Sequence, residues 1–287
     1  LPTSVHEVTS GTGGFSYLGE SALPVYDDLN TIGGKDEDPY DLNESLMALS
    51  KVVPLRVRPG DDASCLNLNK AIRPTLYGVN SDEIKGRFSF ADGDWPVLDQ
   101  DAKEGVIPAV VDQNTMMWAL KMKTGDRIEF LDGEGQSFLV ELVGVVKGSM
   151  LQGALYISEK NFLRKFPKQG GYRAFLLQEN QDIEGEVAAH LENRLQNYGM
   201  EFVSSGERLA SLQKVENTYL SIFQGLGGLG LLLGTAGLAV VIARNLVERG
   251  KEFALMEAVG YRLGLLRKLA FREHLVLGLW GLGVGAI

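Results

Sequence analysis

Up to residue 216 the apolar positions come in bursts of strand or short-helix length, separated by turn residues; beyond it they run without a charge as far as Ala243. Residues 1–50 are rich in Gly, Asp and Ser and read as loops, one short strand and one short helix. Val52–Val57 reads as a strand ending at the Pro59-Gly60 turn, Arg58–Lys70 (RPGDDASCLNLNK) as an ordered loop, and Thr75–Val79 as a further short strand. From Ile107 the pattern is regular. Ile107–Asp112 is a strand, Gln113–Met122 fits a short helix, and Gly125-Asp126 turns the chain into a strand ending at Phe130. After a Gly133-Glu134-Gly135 turn, Phe138–Val146 is a long strand; Ala154–Phe166 reads as strand then helix, and Tyr172–Leu177 as strand. Ile183, Val187, Leu191 and Leu195 recur at every fourth position, which predicts one helix over Ile183–Tyr198 with Gly199 as its stop. With the flanking strands Tyr172–Leu177 and Glu201–Ser204 it makes a β-α-β unit of a small α+β module.

Ser205 is placed to cap a helix starting near Glu207, and no breaker lies between Leu209 and Tyr219, so this helix is expected to enter the apolar stretch as a stalk. As a helix, residues 217–243 would be roughly 40 Å long at about 1.5 Å per residue, more than the ~30 Å hydrocarbon core. Tilt or headgroup-level ends would take up the surplus. A helix buried on all sides is the other environment that tolerates such a run. Residues 244–273 are amphipathic, with Gly250, Gly260 and Gly264 as candidate breaks, and from Leu275 the chain is apolar again over too few residues to cross a bilayer. The expected fold class is an α+β extracytoplasmic domain over residues 1–216, a transmembrane helix over 217–243, a cytoplasmic segment over 244–273, and the truncated start of a next transmembrane helix over 274–287. The chain is thus expected to be a membrane protein fragment.

Charge gives this layout a direction. Seven basic and four acidic residues lie between Arg244 and Glu273, whereas residues 1–216 carry a net charge of −12. The basic flank marks the cytoplasmic side of the span and places residues 1–216 outside a cell (inner) membrane. A surface that acidic repels phosphates and argues against nucleic acid as a partner. Cys65 is the single cysteine, so an intramolecular disulfide is excluded. No signal peptide is legible at Leu1, so export of residues 1–216 calls for a membrane segment upstream.

Few motifs carry chemistry. Gly225, Gly227 and Gly230 match GxGxxG, but inside an uncharged span and without the preceding strand that a dinucleotide site needs. Gly230 and Gly234, and Gly281 and Gly285, have GxxxG spacing; close packing of helix backbones is the stronger reading, against the plain abundance of glycine in membrane helices. Ser10–Phe15 (SGTGGF) lacks the Lys-Ser/Thr pair of a phosphate loop and reads as a flexible turn. His6, His190 and His274 lack metal-ligand spacing, Ser64-Cys65 lacks a base, and the acidic run Lys35–Asp41 lacks calcium-ligand spacing and reads as a solvated loop. Cys65 reads as a buried structural cysteine. Trp95, Trp118 and Phe175 are expected in the core. No catalytic, cofactor-binding or metal-binding residue is assigned, and the chain is not expected to be catalytic by itself.

The segment after the span is the most informative. A basic helix on a membrane surface is one reading; the four glutamates around a small apolar face suit a protein partner better. The string from Asn245 to Gly285, NLVERGKEFALMEAVGYRLGLLRKLAFREHLVLGLWGLGVG, resembles the FtsX/MacB-type family of ABC transporter permeases. Glu248, Arg249, Glu252, Ala254, Leu255, Ala258 and Gly260 match its "ER…E.AL..A.G" element, and Glu273, Gly278, Gly281 and Gly285 the Gly-rich helix after it. Gly250-Lys251 departs from the more usual basic run after Glu-Arg. Ile107–Phe130 and Leu139–Val146 resemble the family's MacB-like extracytoplasmic domain.

The resemblance implies a helix before Leu1, further helices beyond Leu275, a homo- or heterodimer of permeases in the lipid bilayer, and a separate cytoplasmic ABC ATPase that binds the ATP, so that this chain itself holds no cofactor. It implies that Glu248, Arg249, Glu252, Phe253, Leu255, Met256 and Gly260 meet that ATPase, and that its motion reaches the extracytoplasmic domain along the stalk. Export or extraction of an amphiphilic substrate (lipoprotein, lipid or drug) is the first function this allows. An ATPase-driven signalling device that regulates an envelope enzyme without transport is the second. A sensor with no ATPase fits less well, because the chain returns to the membrane.

Overall fold

Alternation within the short apolar bursts is what assembles them into a sheet. In the strand Ser137–Val146, Phe138, Val140 and Leu142 are buried while Leu139 between them is exposed, as a pleated strand with one covered face requires. The computed structural model describes residues 6–31, 38–60, 74–100 and 105–285, and the chain divides into two units, residues 1–214 and 215–287. Ser64, Cys65 and, of the Lys35–Asp41 run, Lys35, Asp36 and Glu37 lie outside the described residues.

In the first unit the strands are β1 (Tyr17–Val25), β2 (Ser50–Arg58), β3 (Thr75–Val79), β4 (Phe90–Asp92), β5 (Ile107–Asp112), β6 (Arg127–Leu131), β7 (Ser137–Val146), β8 (Ala154–Ser158), β9 (Tyr172–Glu179) and β10 (Glu201–Ser204). The short helices are α1 (Glu44–Met47), α2 (Ser81–Ile84), α3 (Glu159–Lys165) and α4 (Glu186–Arg194). The strands form one mixed sheet in the order β10-β1-β9-β2-β3-β8-β5-β7-β4, with β6 added on β7. β3–β8 and β5–β7 are parallel; the other pairs are antiparallel. β2 joins the two halves: Ser50–Leu55 pair with β9, and Arg56–Arg58 pair with β3. This is the expected α+β class.

Among the described residues, three apolar clusters fill the unit. Val187, Ala188, Leu191 and Leu195 of the α4 region pack on Val52, Phe175 and Leu177. Phe162 and Phe166 at α3 pack on Phe138, Val140 and Leu142. Between them Phe15, Leu55, Trp95, Val146, Tyr156 and Leu176 share one cluster, drawing on both halves of the sheet. Trp95 and Phe175 are fully buried, as expected.

The β-α-β unit is present but split, because β1 lies between β9 and β10. Its helix is shorter than the Ile183–Tyr198 expected. Gly185 sits at φ +87°, outside helical space, so α4 begins at Glu186 between short 3-10 turns at Gln181–Ile183 and Gln196–Tyr198. Glu179, buried at the end of β9, caps this start: its carboxylate accepts from the Gly185 and Ala188 backbone N–H groups. Burial pushes the Glu179 carboxyl upward although these donors oppose the shift.

Other expectations are corrected. Residues 115–120 form a π-helical turn in which Met116 and Leu120 face the core, leaving Trp118 on the open side at 74% exposed. The Ser10–Phe15 turn is packed inside rather than loose. Gly11 lies so close to Gly148 that a Cβ would stand 2.2 Å from the Gly148 carbonyl oxygen, and Phe15 is fully buried. The composition of SGTGGF is that of a flexible turn; what it supplies here is absence of side chains where backbones meet.

His190 ties α4 to the start of α1. Its Nε2 accepts the Asn43 backbone N–H at 3.0 Å, which requires that nitrogen to be unprotonated. Burial, then Arg194, lowers the His190 pKa against the pull of Asp41 and Asp38. A folded-state pKa below the unfolded one gives stability that is present above the unfolded value and is lost as pH falls through the folded one. His190→Gln is therefore expected to flatten the decline in stability between pH 7 and pH 5, read from urea midpoints at each pH. An unchanged decline would remove His190 from the pH response.

Candidate functional site

The long apolar stretch forms one helix, α5 (Ser205–Glu248), followed by α6 (Gly250–Ala258) and α7 (Leu263–Gly285). Within α5, Ser221–Glu248 is apolar enough to cross a membrane, with a mean hydropathy of 2.1; among the described residues no other helix meets that test. Its apolar side chains stand open, Phe223 at 68%, Leu231 at 70% and Val247 at 80% exposed, the state of a surface that lipid would cover.

The start of α5 is locked into the sheet unit. Ser204 Oγ accepts from the Glu207 N–H at the helix start, and Ser205, the residue expected as cap, is instead the first helical residue and wholly buried. The Ser205 backbone N–H donates to the Ser16 carbonyl at 2.9 Å, continuing the β1–β10 pairing into the helix. One turn on, Arg208 Nε donates to the Met150 carbonyl at 3.2 Å, and Leu209 is buried. The receiving loop is itself held. The Met150 N–H donates to the Gly11 carbonyl, and the buried Asp112 carboxylate accepts from the N–H groups of Asn114, Thr115 and Ser149. Sequence reasoning missed this anchor, since Gly11, Gly148, Met150 and Leu209 have no local pattern in common.

The other end is a helical hairpin in the second unit. Arg244 Nε pairs with Glu248 one turn on, at 2.7 Å. The helix is interrupted at Arg249, whose guanidinium reaches three ways: to Glu252 at 3.0 Å, to both oxygens of Glu273 at 2.8 and 2.7 Å, and over the Phe253 ring. Arg249 Nη1 donates to both Glu273 oxygens, and this charged contact ties the α5–α6 junction to α7. α6 stops at Gly260, φ +102°, where the Tyr261 N–H returns to Met256 O and the Gly260 N–H to Glu257 O, the paired bonds of a Schellman ending. Of the expected breaks, Gly250 and Gly260 fall at helix ends, while Gly264 lies inside α7.

The expected coupling residues thus separate by side. Glu248, Glu252 and Gly260 are exposed, and Leu255 is 69% exposed. Arg249, Phe253 and Met256 are half-buried, and Phe253 lines a groove between α5, α6 and α7 instead of standing outward. Glu273 is the partner that reading along the chain did not supply. Gly230, Gly234 and Gly281 face open space, with no other helix among the described residues within 4 Å of where their Cβ atoms would stand. Among the described residues, no three His, Cys, Asp or Glu side chains are grouped to hold a metal ion.

Residues 225–287 match the family model described as FtsX-like permease C-terminal. No curated protein matches the chain. Among solved structures, the chain is similar to the periplasmic region of MacB from Actinobacillus actinomycetemcomitans, with 15% identity and a TM-score of 0.38 over 75% of this chain and 97% of that one. It is also similar to the extracellular domain of the noncanonic ABC-type transporter YknZ from Gram-positive bacteria, with 16% identity and a TM-score of 0.32 over 66% of this chain and 100% of that one. The resemblance read from the Asn245–Gly285 string is borne out by the family match: over residues 225–287, the apolar part of α5 with α6 and α7, this chain is similar to the C-terminal part of FtsX-like permeases.

Proposed function

We propose that the chain is part of the permease subunit of an ATP-driven machine, in which a separate cytoplasmic ATPase binds the nucleotide and this chain carries its motion to an extracytoplasmic domain, for export or extraction of an amphiphilic substrate. The observation that supports it is the single helix α5, anchored at Ser205–Leu209 and leading directly into the clasped hairpin at Arg249. A continuous helix passes displacement along its length because packed elements shift as units. Glu248, Glu252 and Leu255 offer the ATPase its exposed contacts; Arg249, Phe253 and Met256 hold the hairpin in shape, and Gly260 ends α6 so that α7 can return. A cytoplasmic position for this end, with the apolar part of α5 in an inner membrane, is supported by the basic residues after the span. The open glycine faces at Gly230, Gly234 and Gly281 suit a second permease, with Gly285 continuing the α7 spacing.

The test is co-purification. Tagged protein extracted in mild detergent should bring down an ATPase of the nucleotide-binding-cassette type, and Glu248→Lys with Glu252→Lys should lose it. Because Glu248 also pairs with Arg244, a swapped variant, Arg244→Glu with Glu248→Lys, preserves that pair while reversing the outward charge. Loss of the ATPase from the swap supports partner contact. Retention there, or in the double reversal, removes the glutamates from the docking surface. Protein that comes down alone in its unaltered form rejects the whole reading.

A further inference from the structure

The groove between α5, α6 and α7 encloses about 680 Å³ and has two charged groups that the coupling reading does not use. That volume lies within the ~300–1,000 Å³ common for small-ligand sites. Its apolar lining includes Ile242, inside the candidate span, Phe271 and Leu275, together with the buried Leu266. Arg267 and Glu257 are both on the lining and neither is in an ion pair among the described residues. His274, also on the lining, has Nδ1 2.8 Å from the Ala270 carbonyl, which assigns the proton to Nδ1.

We propose that this groove is a binding site for one phosphatidylethanolamine-type lipid, its acyl chain along Ile242, Phe271 and Leu275, its phosphate on Arg267 and its primary ammonium on Glu257. A cation and an anion that share a groove without pairing match a headgroup that carries both opposite charges. A purely anionic headgroup would leave Glu257 facing a like charge, and a quaternary ammonium has no N–H to donate to it. Basic pockets beside membrane helices on the cytoplasmic side are established places for lipid headgroups. The apolar half of the groove then explains why a lipid, rather than a soluble phosphate ester, is the ligand. The site depends on membrane placement of α5 and not on ATPase docking, so the two proposals fail separately.

The experiment is native mass spectrometry of the whole chain in a neutral detergent, offered equal amounts of phosphatidylethanolamine, phosphatidylglycerol and phosphatidylcholine. One phosphatidylethanolamine is expected to be retained, roughly tenfold in preference to phosphatidylcholine. Glu257→Gln should erase its preference over phosphatidylglycerol, and Arg267→Gln should weaken all three. Lys251→Gln, a cation outside the lining, should change nothing. Glycerophosphoethanolamine, the same headgroup without tails, should not compete. Equal retention of the three lipids, an unchanged preference in Glu257→Gln, or full competition by the tail-less headgroup would each overturn the assignment. Both Gln substitutions nearly conserve volume, so a normal thermal transition in each separates lost binding from lost folding.

Discussion

Leu209→Ala is expected to free the first turns of α5 from the sheet unit while leaving the sheet folded. Leu209 is 6% exposed and its Cδ2 stands 2.9 Å from where a Gly11 Cβ would be, so the side chain fills the notch between the Ser10–Phe15 turn and the Gly148–Met150 loop. Truncating a buried leucine costs about 2–5 kcal/mol, and a site at the margin of a domain, where neighbours can close in, belongs at about 2–3 kcal/mol. The loss falls on a helix start with few other fixings: the Ser205-to-Ser16 backbone bond, the Arg208-to-Met150 bond and the Ser204 cap. Hydrogen exchange of the full chain in detergent should therefore quicken at residues 205–212 and stay slow at β2, β8 and β9. In the machine proposed above, ATPase co-purification would survive while ATP-driven output fell, because docking and anchoring lie at opposite ends of α5. Exchange at residues 205–212 matching that of the unaltered protein would mean that the anchor rests on backbone bonds and not on Leu209.

The anchor and the hairpin differ in how far they could be read from the sequence, and the difference is one of range. The Arg244–Glu248 pair is one helical turn apart, and the stop at Gly260 follows from a glycine at the end of a short amphipathic run; both are local. The Arg249–Glu273 contact joins residues 24 apart across a turn, and nothing in either neighbourhood marks the other. The strand bursts at Thr75–Val79, Ile107–Asp112 and Phe138–Val146 were legible from alternation and length. Their order in the sheet was not, since β1 enters between β9 and β10 by contacts that cross most of the unit. Trp118 misled because size and aromaticity predict burial only on average; the π turn sends Met116 and Leu120 inward in its place. The Ile183–Tyr198 periodicity identified the correct face; Gly185, with a carboxylate arriving from β9, delayed the helix start, and the non-helical Leu195 set Gln196–Tyr198 apart as a 3-10 turn.

Trp95→Ala is expected to act on the whole sheet unit, in contrast to Leu209→Ala. The indole is fully buried and packs edge-on against Phe88, Phe90 and Tyr156, with ring centroids 6.0, 5.3 and 6.0 Å away, while its Nε1–H donates to the Arg87 carbonyl at 2.9 Å. Tyr156 in turn stacks on Tyr77, so one side chain supports β3, β4 and β8 together. Removing it costs about 3–5 kcal/mol in lost transfer and residual cavity, which for a domain of this size lowers the unfolding temperature by roughly 6–20 °C. Trp95→Phe retains much of the ring and loses the hydrogen bond, so it should fall by about 1–2 kcal/mol plus a smaller cavity. Both substitutions should quicken exchange at β2, β8 and β9 alike, since their cluster contains Val53, Leu55, Tyr156 and Leu176 from both halves of the sheet. Met150 belongs to that cluster too, and its carbonyl holds Arg208. Loosening the core should therefore also release residues 205–212, whereas releasing residues 205–212 through Leu209 should not loosen the core. That one-way dependence, measured by exchange on the two variants side by side, decides whether α5 is a lever fixed to a rigid body or an extension of a sheet that gives way as one piece; a core that loosens in both variants would choose the second.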